Sequence, residues 1–222
     1  MDFLLSDEFL SPVWLSVKTA AVSGLIVIIL GTLTGKLLAR REFKGKSVLE
    51  TALMLPMVLP PTVVGFFLIV IFGKNSPVGQ AIEWLFNQPV IFTWWAAVIA
   101  SSVVAFPLMY QSAKSGFQSV PQDVENAARV DGAGEWKIFL FISVPLASKA
   151  LISGSILSFA RALGEFGATL MFAGNIPGVT QTLPTAIYIA IDSGNMHLAW
   201  MWVISIVLLS FFMLLAVRTK HE

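Results

Sequence analysis

Glu125-Asn126-Ala127-Ala128-Arg129-Val130-Asp131-Gly132, followed ten residues later by Ile142-Ser143-Val144-Pro145, is a polar passage between strongly apolar segments. An apolar chain that keeps such a helix-forming, Ala/Gly-cornered loop in water reads as spanning helices on either side of a docking or packing element. Pro121 suits the first turn of a helix, and Asp123 and Glu125 place negative charge near the positive end of its dipole. Ala127 and Ala128 continue that helix, and Gly132 with Gly134 is expected to end it in a left-handed cap. A second short helix over about residues 135–142 is expected to stop before Pro145, which removes a backbone donor. Small residues at the corner allow close approach by another protein, with Arg129, Asp131, Glu135 and Lys137 placed to orient it. The same helices can equally pack on their own bundle, and these residues alone leave both readings open.

The rest of the chain fixes the solvent. Of 222 residues, 56% are hydrophobic and 12% charged, whereas soluble domains carry about 25% charged residues. This is the composition of a membrane protein in contact with lipid. Fourteen basic and 13 acidic residues nearly cancel, so the distribution of charge carries more information than its sum; no nucleic-acid partner is expected. The absence of cysteine excludes disulfides, thiolate metal sites and Cys nucleophiles. The first residues, Met1 to Glu8, lack the basic region and small-residue cleavage site of a secretory signal, so the first apolar segment is expected to be retained.

A hydrocarbon core about 30 Å thick takes roughly 20 helical residues to cross. Five stretches qualify, at about residues 12–38, 48–72, 91–111, 146–172 and 197–217, with the polar loop over about 113–145 between the third and fourth. The expected fold is an all-α polytopic membrane protein forming a single transmembrane domain over residues 1–222. Lys36, Arg40, Arg41, Lys44, Lys46, Lys114, Arg129, Lys137, Lys149, Arg218 and Lys220 fall on one side, against Asp2, Asp7, Glu8, Glu83, Asp192 and Lys74 on the other. The positive-inside bias then puts the N-terminus outside and the polar loop and C-terminus in the cytoplasm. Trp14, Trp84, Trp94, Trp95, Trp200 and Trp202 fall near outer span ends, where indoles favour the headgroup level, and only Trp136 lies in the cytoplasmic loop.

Within the spans, Arg161 and Glu165 stand out, because an ionised side chain at mid-bilayer costs about 2.5–3.5 kcal/mol on insertion scales. Their i,i+4 spacing lets them pair with each other, and the alternative is that they line or gate a passage. Pro56, Pro60 and Pro61 free carbonyls in the second span, which serves either a packing kink or an irregular, cavity-lining segment beginning at Thr62. Residues 174–184 read as an outer loop. Gly31 and Gly35, with Gly24, mark close helix packing within or between subunits. His197 and His221 are isolated and have no metal-ligand spacing. Gly45-Lys46-Ser47 imitates the end of a phosphate-binding loop, but Arg40 stands where that loop needs glycine. ATP must therefore be handled by another chain, and no cofactor is expected in this one.

The polar loop resembles the signature of ABC importer permeases: Glu-Ala-Ala, three residues, Gly, nine residues, Ile, one residue, Leu-Pro. Ala127, Ala128, Gly132, Ile142 and Pro145 match in spacing, while Asn126 stands in place of Glu, with Glu125 one residue earlier, and Val144 in place of Leu. Phe159-Ala160-Arg161-Ala162-Leu163-Gly164-Glu165-Phe166-Gly167-Ala168-Thr169, then Asn175-Ile176-Pro177-Gly178, Thr182-Leu183-Pro184 and Leu59-Pro60-Pro61-Thr62-Val63-Val64-Gly65, resemble molybdate ABC transporter permeases, and the first of these also sulfate and thiosulfate permeases.

The resemblance implies a type I importer permease fold and transport of an oxyanion. It further implies a coupling helix carrying Glu125, Asn126, Ala127, Ala128, Gly132 and Pro145, seated in a cytoplasmic ATPase subunit that holds ATP and Mg. A second copy of this chain would complete the passage, an external oxyanion-binding protein would deliver the substrate, and the setting would be a bacterial or archaeal cytoplasmic membrane. Pathway candidates are Pro60, Pro61, Thr62, Arg161, Glu165 and Thr169, with Ser155 and Ser158 as further hydroxyl donors. A secondary transporter would need an inverted repeat and coupling-ion acids near the midplane, neither of which is visible. An intramembrane enzyme would need a Ser-His, paired-Asp or His-Glu arrangement within the spans, also not seen.

Overall fold

A computed structural model describes residues 7–218; Asp2, Lys220 and His221, weighed above for topology and tail, lie outside the described residues. The first helix, α1 (Asp7–Ala39), has 33 residues. At about 1.5 Å per residue it runs roughly 50 Å, so it overshoots a hydrocarbon layer of about 30 Å. Alongside it lies α5 (Trp94–Gln118), whose buried face of Ala96, Ala97, Ala100, Ser101, Val104, Ala105 and Ala113 makes it the central helix.

Close approach of these two helices is what Gly31 and Gly35 provide. A Cβ on Gly31 would stand 2.7 Å from the Met109 side chain, and one on Gly35 would stand 2.7 Å from the Ala113 methyl. The glycine pair therefore packs within the chain, which settles the choice between intra- and intersubunit use in favour of the former. Van der Waals packing of small residues replaces the hydrophobic drive that lipid removes.

Two of the apolar segments are broken helices. Around Leu59-Pro60, α2 (Lys46–Val58) and α3 (Pro61–Phe72) meet at a bend of 118°. Proline at the start of α3 needs no donor there, and Pro60 in extended conformation ends the preceding run. The loop's second element begins as α7 (Glu135–Ile138), widens into a π turn over Phe139–Ser143 and closes with α8 (Val144–Leu146).

The expected stop before Pro145 is thus corrected. The Val144 amide bonds to the Phe139 carbonyl five residues back, and this wider turn accommodates a proline that an α turn would reject. A bend of 77° then leads into α9 (Ser148–Leu163), which ends before α10 (Gly167–Ala173). Between α3 and α5 comes a short helix, α4 (Pro77–Phe86), N-capped by the Ser76 hydroxyl, which accepts the Gly79 N–H at 2.8 Å.

Part of the expected outer loop is also helical. Leu183 opens α11 (Leu183–Asp192), with Pro184 in its first turn and the Leu183 N–H donated to Ser16 Oγ at 2.6 Å. The last helix, α12 (Met196–Arg218), packs on α11 and the start of α1. There Trp202 is buried and donates to the Phe9 carbonyl at 3.1 Å. Trp94 likewise donates to Thr19 Oγ1 at 2.9 Å, so these two indoles serve helix packing rather than the free interfacial role expected of them. Trp14, Trp84, Trp95 and Trp200 remain exposed.

Among the described residues, α1, α5 and α12 are long and apolar enough to cross a membrane, and each bent pair adds one further candidate span, for up to five. α2 contributes no buried residue. Its tether is polar instead: Lys114 of α5 pairs with Glu50 at 2.6 Å, and Tyr110 of α5 donates to the same oxygen at 3.1 Å.

Candidate functional site: the polar elbow and the helix break

The polar loop folds as α6 (Gln122–Val130), a turn at Asp131-Gly132, and α7. Pro121 sits at the N-cap rather than in the first turn, and Asp123 and Glu125 follow in that turn. Gly132 takes φ +85°, the left-handed conformation expected of it, and a Cβ there would meet nothing within 4 Å. Conformation rather than space thus calls for glycine. Gly134 is different: with φ −72° and ψ 156° it N-caps α7 instead of ending α6.

Across the turn Arg129 clamps the elbow. Its Nε and Nη2 donate to the two Glu135 oxygens at 2.6 and 3.1 Å, and its Nη1 donates to Asn126 Oδ1 at 2.8 Å. This fork holds the Glu135 carboxyl below its ordinary range. Asn126, at the signature's Glu position, is therefore engaged in orienting Arg129.

Glu125 points the other way. It is 3% exposed and receives three donors: Lys36 Nζ at 2.6 Å and Ser143 Oγ at 2.7 Å on one oxygen, and Arg40 Nη1 at 2.8 Å on the other. Burial pushes its pKa up, but hydrogen bonds from Lys36 and Ser143 and the charges of Lys36 and Arg40 outweigh that and hold the carboxyl below its ordinary value. Arg40 also donates to the Val120 carbonyl, and Gln118 Nε2 reaches the Ala39 carbonyl at 3.0 Å. The end of α1, α6 and the π turn thus meet on one carboxylate, and Arg40 ties the end of α5 to the same cluster.

Lys36 lies in the last turn of α1 and Arg40 just past its end, four residues on, and that spacing was visible in the sequence. Their partner, 85–89 residues away, was not. Glu125 and Glu165 are the two buried acids among the described residues.

The outward face of the elbow is apolar and small. Val130 is 86% exposed, Val124 and Trp136 are exposed, Ala127 is exposed and Ala128 half-buried. Pro145 is exposed at the far end.

The second constellation lies where α9 gives way to α10. The helix ends at Leu163, before Glu165, yet Arg161 Nη1 still pairs with Glu165 Oε2 at 2.7 Å. Glu165 is 2% exposed, and its other oxygen accepts the Ala168 N–H at 2.8 Å, capping α10. The Ser158 and Thr169 hydroxyls are buried without a hydrogen-bond partner, whereas Ser155 back-bonds to the Leu151 carbonyl at 2.7 Å. Pro61 lies against this break, since a Cβ on Gly167 would stand 2.9 Å from its ring. Pro60, Pro61 and Thr62 are exposed. The break thus gathers Pro61, Glu165 and Arg161, while the elbow gathers Glu125, Asn126 and Gly132.

These two places can be compared with known proteins. Residues 27–219 match the family of binding-protein-dependent transport system inner membrane components. The chain is 69% identical over 215 residues, 97% of its length and 95% of the relative's, to the putative molybdenum transport system permease protein YvgM of Bacillus subtilis (strain 168). It is 40% identical over 207 residues, 92% of its length and 90% of the relative's, to the molybdenum transport system permease protein ModB of Escherichia coli (strain K12).

Among solved structures it superimposes on a chain of the inward-facing MetNI methionine ABC transporter with TM-score 0.72 at 17% identity, covering 96% and 94% of the two chains. The bacterial alginate ABC transporter gives TM-score 0.77 at 16% identity, covering 98% and 79%. At those identities the likeness shows the fold. The chain belongs to the binding-protein-dependent transport permease family, a membrane subunit whose ATPase lies on a partner chain and which also works with a substrate-binding protein.

Proposed function

We propose that this chain is the membrane-spanning permease subunit of an ATP-driven molybdate importer, working as a pair of identical subunits above two ATPase subunits and beneath an external oxyanion-binding protein. The observation that carries the substrate assignment is the 69% identity, end to end, to a putative molybdenum permease. Eleven of the 14 basic residues on one side support a cytoplasmic elbow and C-terminus with the N-terminus outside.

The outward face of the elbow, with Asn126, Ala127, Ala128 and Gly132, is the seat for the ATPase, and Glu125 supports it from behind. Pro145 keeps the π turn that links the elbow to α9. ATP binding on the partner pulls the elbows together, and the buried charge cage passes that displacement to α1 and α5. A nucleotide can move such an equilibrium only by its differential affinity for the two states.

Pro60, Pro61, Thr62, Arg161, Glu165 and Thr169 line or gate the passage. Arg161, a third exposed with one guanidinium edge engaged by Glu165, has donors left for a passing dianion. Glu165 limits the net charge there, and a site that neutralised the anion fully would hold it too long. Uptake of labelled molybdate, tungstate and sulfate into vesicles containing the reconstituted complex tests the reading. Molybdate transport that depends on ATP supports it, and transport of sulfate with no molybdate uptake replaces it with a sulfate permease.

A further inference from the structure

The cytoplasmic end of α1 and the elbow enclose a cleft of about 630 Å³, which shares Asn126 and Trp136 with the outward face of the elbow and otherwise opens along α1. Four cations line it, Lys36, Arg40, Arg41 and Arg129, against two carboxylates, Glu125 and Glu135. Both carboxylates are already engaged, Glu125 by three donors and Glu135 by the Arg129 fork. The cleft therefore carries an excess of two positive charges, and Arg41, just past the end of α1, is exposed and has no ion-pair partner among the described residues.

Its depth identifies the occupant. From Arg41 the cleft descends along α1 past Leu37 to Leu33, two turns or about 12 Å at roughly 1.5 Å per residue. A headgroup layer is about 5–8 Å thick on each face, so the upper part of the cleft lies among headgroups and the lower part reaches acyl chains. Leu33 and Leu37 are 36% and 50% exposed, continuing an apolar strip through Leu30 and Ile29. Trp136, 64% exposed, also lines the cleft and adds an amphipathic ring of the kind favoured at a membrane interface. A free anion would have no use for the leucine wall.

We propose that this cleft binds the headgroup of an anionic phospholipid, its phosphodiester on Arg41 and the free donors of Arg40 and Arg129 and its acyl chains along Leu33 and Leu37. The lipid then bridges α1 to the elbow from the membrane side, bracing the element that takes the ATPase stroke. The inference uses the cytoplasmic placement of the elbow but not the identity of the transported anion, so its failure and that of the molybdate reading are separable.

Native mass spectrometry of the full chain in detergent, titrated with phosphatidylglycerol and with phosphatidylcholine, tests it. Phosphatidylglycerol is expected to be retained preferentially, and Arg41→Gln is expected to reduce that preference about fivefold, the worth of one interfacial cation. Lys74→Gln, in a loop on the other side, is expected to leave it unchanged. Because Arg41 is exposed and makes no ion pair, loss of folding does not confuse the comparison; retention of wild-type thermal stability by the variant checks this.

Equal retention of both lipids, or wild-type preference in Arg41→Gln, overturns the proposal. So does displacement of phosphatidylglycerol by millimolar inorganic phosphate, which would mark a free-anion site. Loss of the lipid when the ATPase subunit is added would assign the cleft to protein and overturn it as well.

Discussion

The elbow and the intramembrane break are both interruptions of a helix held by a buried carboxylate, and they differ in how completely that carboxylate and its neighbours are satisfied. At the elbow, Glu125 has three donors, two from the end of α1 and one from the π turn, and the hydroxyl beside it, Ser143, is itself bonded. At the break, Glu165 has one amide and one guanidinium, and the neighbouring Ser158 and Thr169 hydroxyls are bonded to nothing. A saturated polar cluster resists rearrangement, whereas an unsatisfied one keeps a standing free-energy cost of about 1–3 kcal/mol per group that a ligand or a second conformation can relieve. The first suits transmission of force and the second suits a site that must change.

The sharpest way to break this contrast is Glu125→Ala. It leaves Lys36 and Arg40 facing each other without their counter-charge, and removing one partner of a fully buried pair costs about 3–5 kcal/mol. Since these cations are 27% and 26% exposed, water softens the loss to about 2–3 kcal/mol. Thermal unfolding in detergent and co-purification of the ATPase are expected to show a less stable chain and a weaker complex. An unchanged melting profile would show that the cage carries no strain between elements.

Gly132→Ala comes next. A side chain in the left-handed region costs about 1–2 kcal/mol with no clash to add, so the elbow is expected to reshape while the helices stay intact. Weaker ATPase affinity, with wild-type amounts of chain in the membrane, is the expected readout. Gly132→Trp or Ala128→Glu adds bulk or charge on the face proposed to meet the ATPase and is expected to uncouple hydrolysis from uptake.

Paired serine substitutions sharpen the comparison directly. Ser143→Ala is expected to destabilise by about 1 kcal/mol, the net worth of a lost hydrogen bond. Ser158→Ala removes a group that has no bond to lose and is expected to be neutral or slightly stabilising, while uptake falls. Equal destabilisation by both would erase the distinction between the two sites.

The smallest effect is that of pH. The Glu125 carboxyl is held below its ordinary pKa in the folded chain. Its stabilisation is therefore fully present above the ordinary carboxylate pKa and is lost only as pH falls through the depressed value. Melting temperature is expected to be flat across neutral and mildly acid pH and to drop in strong acid, and Glu125→Gln is expected to flatten that acid limb.

Much of this was legible in residue order. The apolar segments, the polar loop, the left-handed Gly132 and the Arg161–Glu165 pairing follow from local composition and spacing, because each involves residues within a turn or two of one another. The Leu59-Pro60 break was signalled by its prolines, although not its angle. The π turn that carries Pro145 inside a helix was not foreseen, since proline ordinarily ends an α turn and the wider ring appears only with the fold. Glu125 was read as an outward docking side chain, yet its carboxylate faces inward to α1. Glu50, placed at the inner end of a span and passed over, is the polar tether of a helix that contributes no buried residue.

Sequence by itself determined that the chain lives in lipid, where the helices start and which loop meets water, because hydropathy, proline and glycine act over a few residues. Only the tertiary structure decided which cation meets which carboxylate. Lys36, Arg40 and Glu125 are joined across 85–89 residues because Gly31 and Gly35 let α1 lie close along α5, and that approach brings the end of α1 under the elbow. Charge pairing over such separations is set by which helices become neighbours, and neighbours are chosen by packing of the whole chain.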